Sequence, residues 1–177
     1  MGENWLDLLQ SGNQLAKVVE TNQYTEKFGL VFTEEEAGLI IDSRKSSLRD
    51  NRRVEFGEGI APKLIKEFCD SQYINQDNYA QTIMKLQDIF YLYKNEMNDE
   101  ITDDELLHLM KEMFEELCYG DLEYLETTGL ADFAEAVRAG YDGYADSDGY
   151  GESSRFSLVA QWNHDLYVQA LEDIFWR

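Results

Sequence analysis

The chain has 177 residues, 44% of them hydrophobic, with 9 Phe, 11 Tyr, 3 Trp and a single Pro, and a formal charge of −21. That many aromatics exclude a disordered acidic polymer, while the length suits one domain with a substantial core. The negative field excludes nucleic acid and anionic membrane as natural partners and favours cationic ones, and the single Pro favours helices.

The first element is a helix carrying Trp5, Leu8, Leu9, Leu15, Val18, Val19 and Asn22, and Tyr24, Thr25 and Gly29 mark its end. The second begins at Thr33, where Glu36 completes a capping box, and carries Ala37, Ile40, Ile41, Arg44 and Leu48 on one side. Leu30–Phe32 and Val54–Phe56 are β-prone and flank this helix, so the expected class is all-α, or α with a minimal two-stranded ladder. A third helix starts near Pro62, a residue suited to a first turn, and buries Leu64, Ile65, Phe68 and Cys69.

The longest predicted helix spans about residues 75–97. Tyr79, Ile83, Leu86, Phe90, Tyr93 and Met97 form a seam that Ile89 and Leu92 widen, predicting a central rod of about 34 Å packed on more than one side. Thr102 and Glu105 repeat the capping box, and Asp103, Asp104 and Glu105 suit the positive end of the next helix. Leu106, Met110, Met113 and Leu117 form its stripe, and Gly120 ends it. A further helix runs over 121–139 with a break at Thr127–Gly129. An acidic loop at 140–154, rich in Tyr and Gly, precedes a C-terminal helix. The expectation is one domain over residues 1–177, an irregular bundle of six or seven helices.

Acidity is unevenly placed. Residues 1–95 hold 15 acids and 11 bases, whereas residues 96–177 hold 21 acids against Lys111, Arg138, Arg155 and Arg177. Neither a secretory signal nor a membrane span is legible, and two cysteines, Cys69 and Cys118, read as reduced core residues. A cytoplasmic location is expected.

Three stretches, KFGLVFTEEEA, RVEFGEGIAPKLIKEFCDSQYINQDNYAQTIMKLQDIFYLYKNE and DDELLHLMKEMFEELCYGDLEYLETTGL, carry a resemblance. Over about residues 29–138 the chain resembles a small family of uncharacterised proteins of Gram-positive anaerobic bacteria, classed as a domain of unknown function. The resemblance implies a helical cytoplasmic protein and brings no activity, cofactor or site residues with it.

Five candidate sites can be read from the residues. Arg52 and Arg53, with Arg44, Lys45 and Arg49 upstream, precede Gly57 and Gly59 and a helix start, a combination able to bind a phosphate-type anion. The spacing is that of no known phosphate loop, and Glu55 and Glu58 oppose an anion, so pairing with the protein's own acids is the simpler expectation. Asp104, His108 and Glu112 share a helix face, but a solvated charged face explains them better than a metal. In the loop, Asp146 and Asp148 with Gly149 match part of a calcium-binding loop, while Tyr144 and Arg155 fall where carboxylates are needed. The loop's Tyr141, Tyr144 and Tyr150, set among small residues, have the composition of a recognition surface. Cys118 lacks a nucleophile context.

No catalytic constellation and no cofactor signature emerges. The leading expectation is a non-enzymatic interaction module whose acidic C-terminal half meets a basic protein; the alternative is a small-molecule or phosphate-type anion-binding protein, or an enzyme, built on the Arg52–Gly59 segment. The aromatic end Phe175-Trp176-Arg177 suits a groove in cis or across a dimer, which leaves the oligomeric state open.

Overall fold

The computed structural model describes residues 5–139. The loop at 140–154, with Tyr141, Tyr144, Tyr150, Asp146 and Asp148, and the C-terminal helix lie outside the described residues.

The fold is an all-α bundle. Helix α1 (Trp5–Glu20) leads through a single turn, α2 (Asn22–Thr25), and a 3-10 turn (Glu26–Phe28) to Gly29, which ends the run in the left-handed conformation at φ 77°. Helix α3 (Glu34–Asp50) starts with both arms of the Thr33–Glu36 capping box formed, at 3.0 Å each. Helix α4 (Ala61–Phe68) has Pro62 in its first turn. Helix α5 (Tyr79–Glu96) is followed by α6 (Asp103–Glu116), whose Thr102 cap accepts from the Glu105 amide at 3.2 Å. A single turn, α7 (Leu122–Tyr124), passes through a π-turn (Leu125–Gly129) into α8 (Leu130–Arg138). The predicted break at Thr127–Gly129 is therefore this π-turn.

Helix α5 is central, packing on α3, α4, α6, α7 and α8. Its buried residues, among them Tyr79, Ile83, Leu86, Ile89, Phe90 and Tyr93, point all round the helix, as a rod covered on several sides requires. It is shorter than expected. Asn75 and Asn78 each accept, through the side-chain oxygen, the other's main-chain N–H at 2.9 and 3.0 Å, and this reciprocal turn holds residues 75–78 out of the helix until Tyr79. Eighteen residues then make a rod of about 27 Å.

Among the described residues the two β-prone segments form no ladder. Residues 30–32 are extended, but their main chain is already satisfied. The Asn22 side-chain amide brackets Phe32, donating to its carbonyl at 2.9 Å and accepting from its N–H at 2.8 Å. Gln76 does the same for Val31 at 2.8 and 2.9 Å. Two carboxamides thus supply the bonds a neighbouring strand would offer. Phe32 turns inward and stacks on Tyr79 with centroids 3.9 Å apart.

Candidate functional site

The most unusual chemistry lies where α3 meets α5. The stripe that buries Ala37, Ile40 and Ile41 also carries Arg44, and the guanidinium goes inside with them, 4% exposed. A buried charge must be paired. Arg44 Nε donates to the Tyr91 hydroxyl oxygen at 3.2 Å, and Nη2 reaches Glu55 Oε1 at 3.4 Å. Tyr91 itself donates to the same carboxylate oxygen at 2.9 Å. Burial pushes the Tyr91 phenol up to about 12, although Arg44 works in the opposite direction.

Polar contacts continue along the same interface. Ser47 donates to Asp88, Gln87 Nε2 donates to the Ile40 carbonyl at 3.0 Å, and Asn95 Nδ2 to that of Asn51 at 2.7 Å. Partners on α3 and α5 advance together along both helices, so the two run side by side in the same direction, with α4 in the crossover between them.

Arg53 extends this network to the C-terminal end of α5. Its two terminal nitrogens grip Asp99 at 2.9 and 3.2 Å, and Nη1 also reaches Asn95 at 2.6 Å. The Arg53 hydrogen bond holds the Asp99 carboxyl below the usual range. Asn98 and Asp99 both sit at positive φ, 54° and 57°, a sharp reversal that Arg53 braces from one side and Lys94 from the other at 3.8 Å. Buried Lys94 also donates to the Ile101 carbonyl and pairs with Asp103, at 2.8 and 2.9 Å.

The residues read as an anion seat are placed as follows. Gly59, at φ 76°, lies against Arg44, and Arg53 is held by Asp99 and Asn95 with its Nε 3.9 Å from Glu55. Arg52, at φ 56°, is exposed, and Gly57 at φ 90° has open space around it. The four therefore do not converge. Arg53 and Gly59 face the buried centre, Arg52 and Gly57 the solvent, and Glu55 occupies the position an anion would need. A groove of about 270 Å³ nearby is lined by Lys17, Glu20, Tyr24, Glu58 and Lys66 and includes neither arginine; Lys17 is already tied to Glu20 and Glu58 at 3.7 and 3.6 Å.

Elsewhere, Asp104 pairs with Lys63 at 3.1 Å, and His108 Nδ1 lies 3.8 Å from Glu67. The two therefore look to different partners across the α4–α6 contact. Among the described residues no cluster of three His, Cys, Asp or Glu side chains is placed to hold a metal. Cys69 and Cys118 are free and buried, and burial pushes the Cys118 thiol up to about 11.

In the sequence Arg44 and Glu55 stand eleven residues apart with nothing local to join them, and nothing local marks Tyr91. A usable signal was present, since an arginine in phase with Ile40, Ile41 and Leu48 must find a carboxylate inside. With Arg44 and Tyr91 buried and Glu55 tied to both, this centre is suited to holding the 51–60 segment in place.

A family profile matches residues 17–143, more than half the chain. The chain belongs to DUF6323, a family of unknown function. No curated protein matches it, and neither does any solved structure. The function of this family member is therefore unknown, and nothing supports the anion-binding alternative. No helix among the described residues is long and apolar enough to cross a membrane.

Proposed function

We propose that this member of DUF6323 is a non-enzymatic protein-interaction module of the bacterial cytoplasm, whose acidic surface receives a basic protein. One observation carries the reading: among the described residues the exposed acids from the end of α6 to α8 have no cation against them, although half-buried Glu126 pairs with Lys85 at 2.8 Å. Residues 96–139 hold 14 acids against Lys111 and Arg138, and both cations are engaged, Lys111 by Asp70 and Glu115, Arg138 by Glu96. Glu116, Asp121, Glu123, Asp132 and Glu135 are exposed, and among the described residues no cation pairs with them. Tyr119 and Tyr124 stand exposed between them, apolar rings that also attract cations. Arg44 and Arg53 of the first half, by contrast, are consumed internally at Glu55 and Asp99.

Free, buried Cys69 and Cys118 support a reducing compartment. The bacterial setting rests on the resemblance of the sequence over 29–138.

Immobilised protein exposed to a native bacterial lysate tests this reading. Basic proteins are expected to be retained at low salt and released as salt rises. The Glu116→Lys, Glu123→Lys, Glu135→Lys triple variant, which spares the Asp121 cap, is expected to lose them. Identical retention by both proteins would sink the proposal.

A further inference from the structure

Among the described residues the two most exposed large apolar side chains are Phe56 at 87% and Val54 at 81%. They stand on one side of a single extended segment. Exposure alternates along it: Arg52, Val54 and Phe56 face out, while Arg53 and Glu55 face in. The segment is firmly seated. Glu55 is bound by Arg44 and Tyr91, Arg53 by Asp99, the Arg53 amide by the Leu48 carbonyl at 2.8 Å, and the Gly57 carbonyl by Gln14 at 3.1 Å. A turn with positive φ closes each end, at Arg52 and Gly57. Among the described residues, the N–H groups of Val54, Glu55 and Phe56 donate no hydrogen bond. Two bare apolar side chains on a rigid, strand-like tip carry a solvation cost and no ordering cost, as a docking epitope does.

The order of the exposed residues identifies the occupant. At every second position it reads cation, apolar, apolar, anion, at Arg52, Val54, Phe56 and, just past the Gly57 turn, Glu58, so the exposed row is complementary to its own reverse. We propose that a second copy of this chain docks here about a two-fold axis, with the two 52–58 segments antiparallel and centred on Glu55. Val54 of each copy then lies across from Phe56 of the other, and Arg52 across from Glu58, whose Oε1 is otherwise 3.6 Å from its own Lys17. Each Glu55 meets no like charge unpaired, because it is bound to its own Arg44. Such an isologous contact is the commonest form of self-association.

Charge also favours this place. Two chains of −21 repel each other at long range, and that repulsion is least where the surface is least acidic. Exposed Lys45, Arg49 and Arg52 gather at the end of α3 beside the tip. The contact is small, short of the roughly 1,200 Å² of a stable interface, so the dimer is a weak one, formed at high concentration.

Sedimentation velocity and diffusion NMR on the full chain, from micromolar to millimolar, test the proposal at physiological salt. The wild type is expected to pass from monomer to dimer over that range. Phe56→Ser, at a side chain that contributes little to folding, is expected to weaken association at least tenfold with an unchanged melting temperature. Arg52→Glu and Glu58→Arg should each weaken it alone, and their equimolar mixture should regain it, because both unlike pairs across the axis are restored. A monomer at every concentration, a dimer indifferent to Phe56→Ser, or a mixture no better than either single variant would each overturn the proposal. None of these outcomes bears on the acidic face, which is read separately by the lysate experiment.

Discussion

Gly59 lies so close to Arg44 that a β-carbon added to the glycine would fall 2.7 Å from the guanidinium Cζ and 2.8 Å from Cδ. The backbone there is also left-handed, at φ 76°. Gly59→Ala therefore has two costs, an unfavourable backbone for an L-residue and displacement of a buried, paired arginine. The expected loss is about 2–4 kcal/mol, read as a lowered urea midpoint. Gly57→Ala is the internal control. It is left-handed too, at φ 90°, but has open space, so only the backbone cost of about 1 kcal/mol is expected. Equal losses at the two positions would show that the Arg44 contact is unimportant.

Tyr91 gives the fold a pH signature. An unfolded tyrosine loses its proton near 10, whereas the folded Tyr91 holds its proton to about 12 because it is buried. Folded-state binding of the proton stabilises the protein fully below the unfolded pKa. That contribution is lost as pH rises through 10 towards 12. In the wild type it amounts to about 2–3 kcal/mol. Tyr91→Phe lacks it, so the two proteins' unfolding free energies, measured in urea from pH 8 upward, should converge as pH rises. Parallel lines would refute the assignment.

The Arg53–Asp99 pair offers a second titration at the other end of the scale. Because Arg53 holds the Asp99 carboxyl below its ordinary value, its stabilisation is present above the unfolded pKa and fades as pH falls through the folded one. In Arg53→Ala the Asp99 carboxyl should return towards the ordinary aspartate range in an NMR titration. The Asn98–Asp99 turn, strained at positive φ, should show faster amide exchange in that variant. An unchanged Asp99 titration would mean that Lys94 alone sets it.

The helices were legible in the sequence because their signals are local. Thr33 and Glu36 are three residues apart, Pro62 sits in its own first turn, and the seam of α5 repeats within one element. What could not be read depends on partners far along the chain. Whether 30–32 pairs as a strand is decided by Gln76, 45 residues from Val31. What Arg53 binds is decided by Asp99, 46 residues away. Nor does periodicity say that Glu55 turns in while its neighbours turn out. In the sequence Glu55 opposes an anion beside the arginines; in the fold it is itself the anion that Arg44 holds.

An interface between two helices lined only with leucines and isoleucines can slide by a turn at little cost. The α3–α5 contact cannot, because a one-turn slip would strand Arg44 and Gln87 away from Tyr91 and the Ile40 carbonyl in the buried interior. These buried polar groups therefore act as an indexing key. They add little net adhesion, but they admit one alignment of the two helices and reject its neighbours.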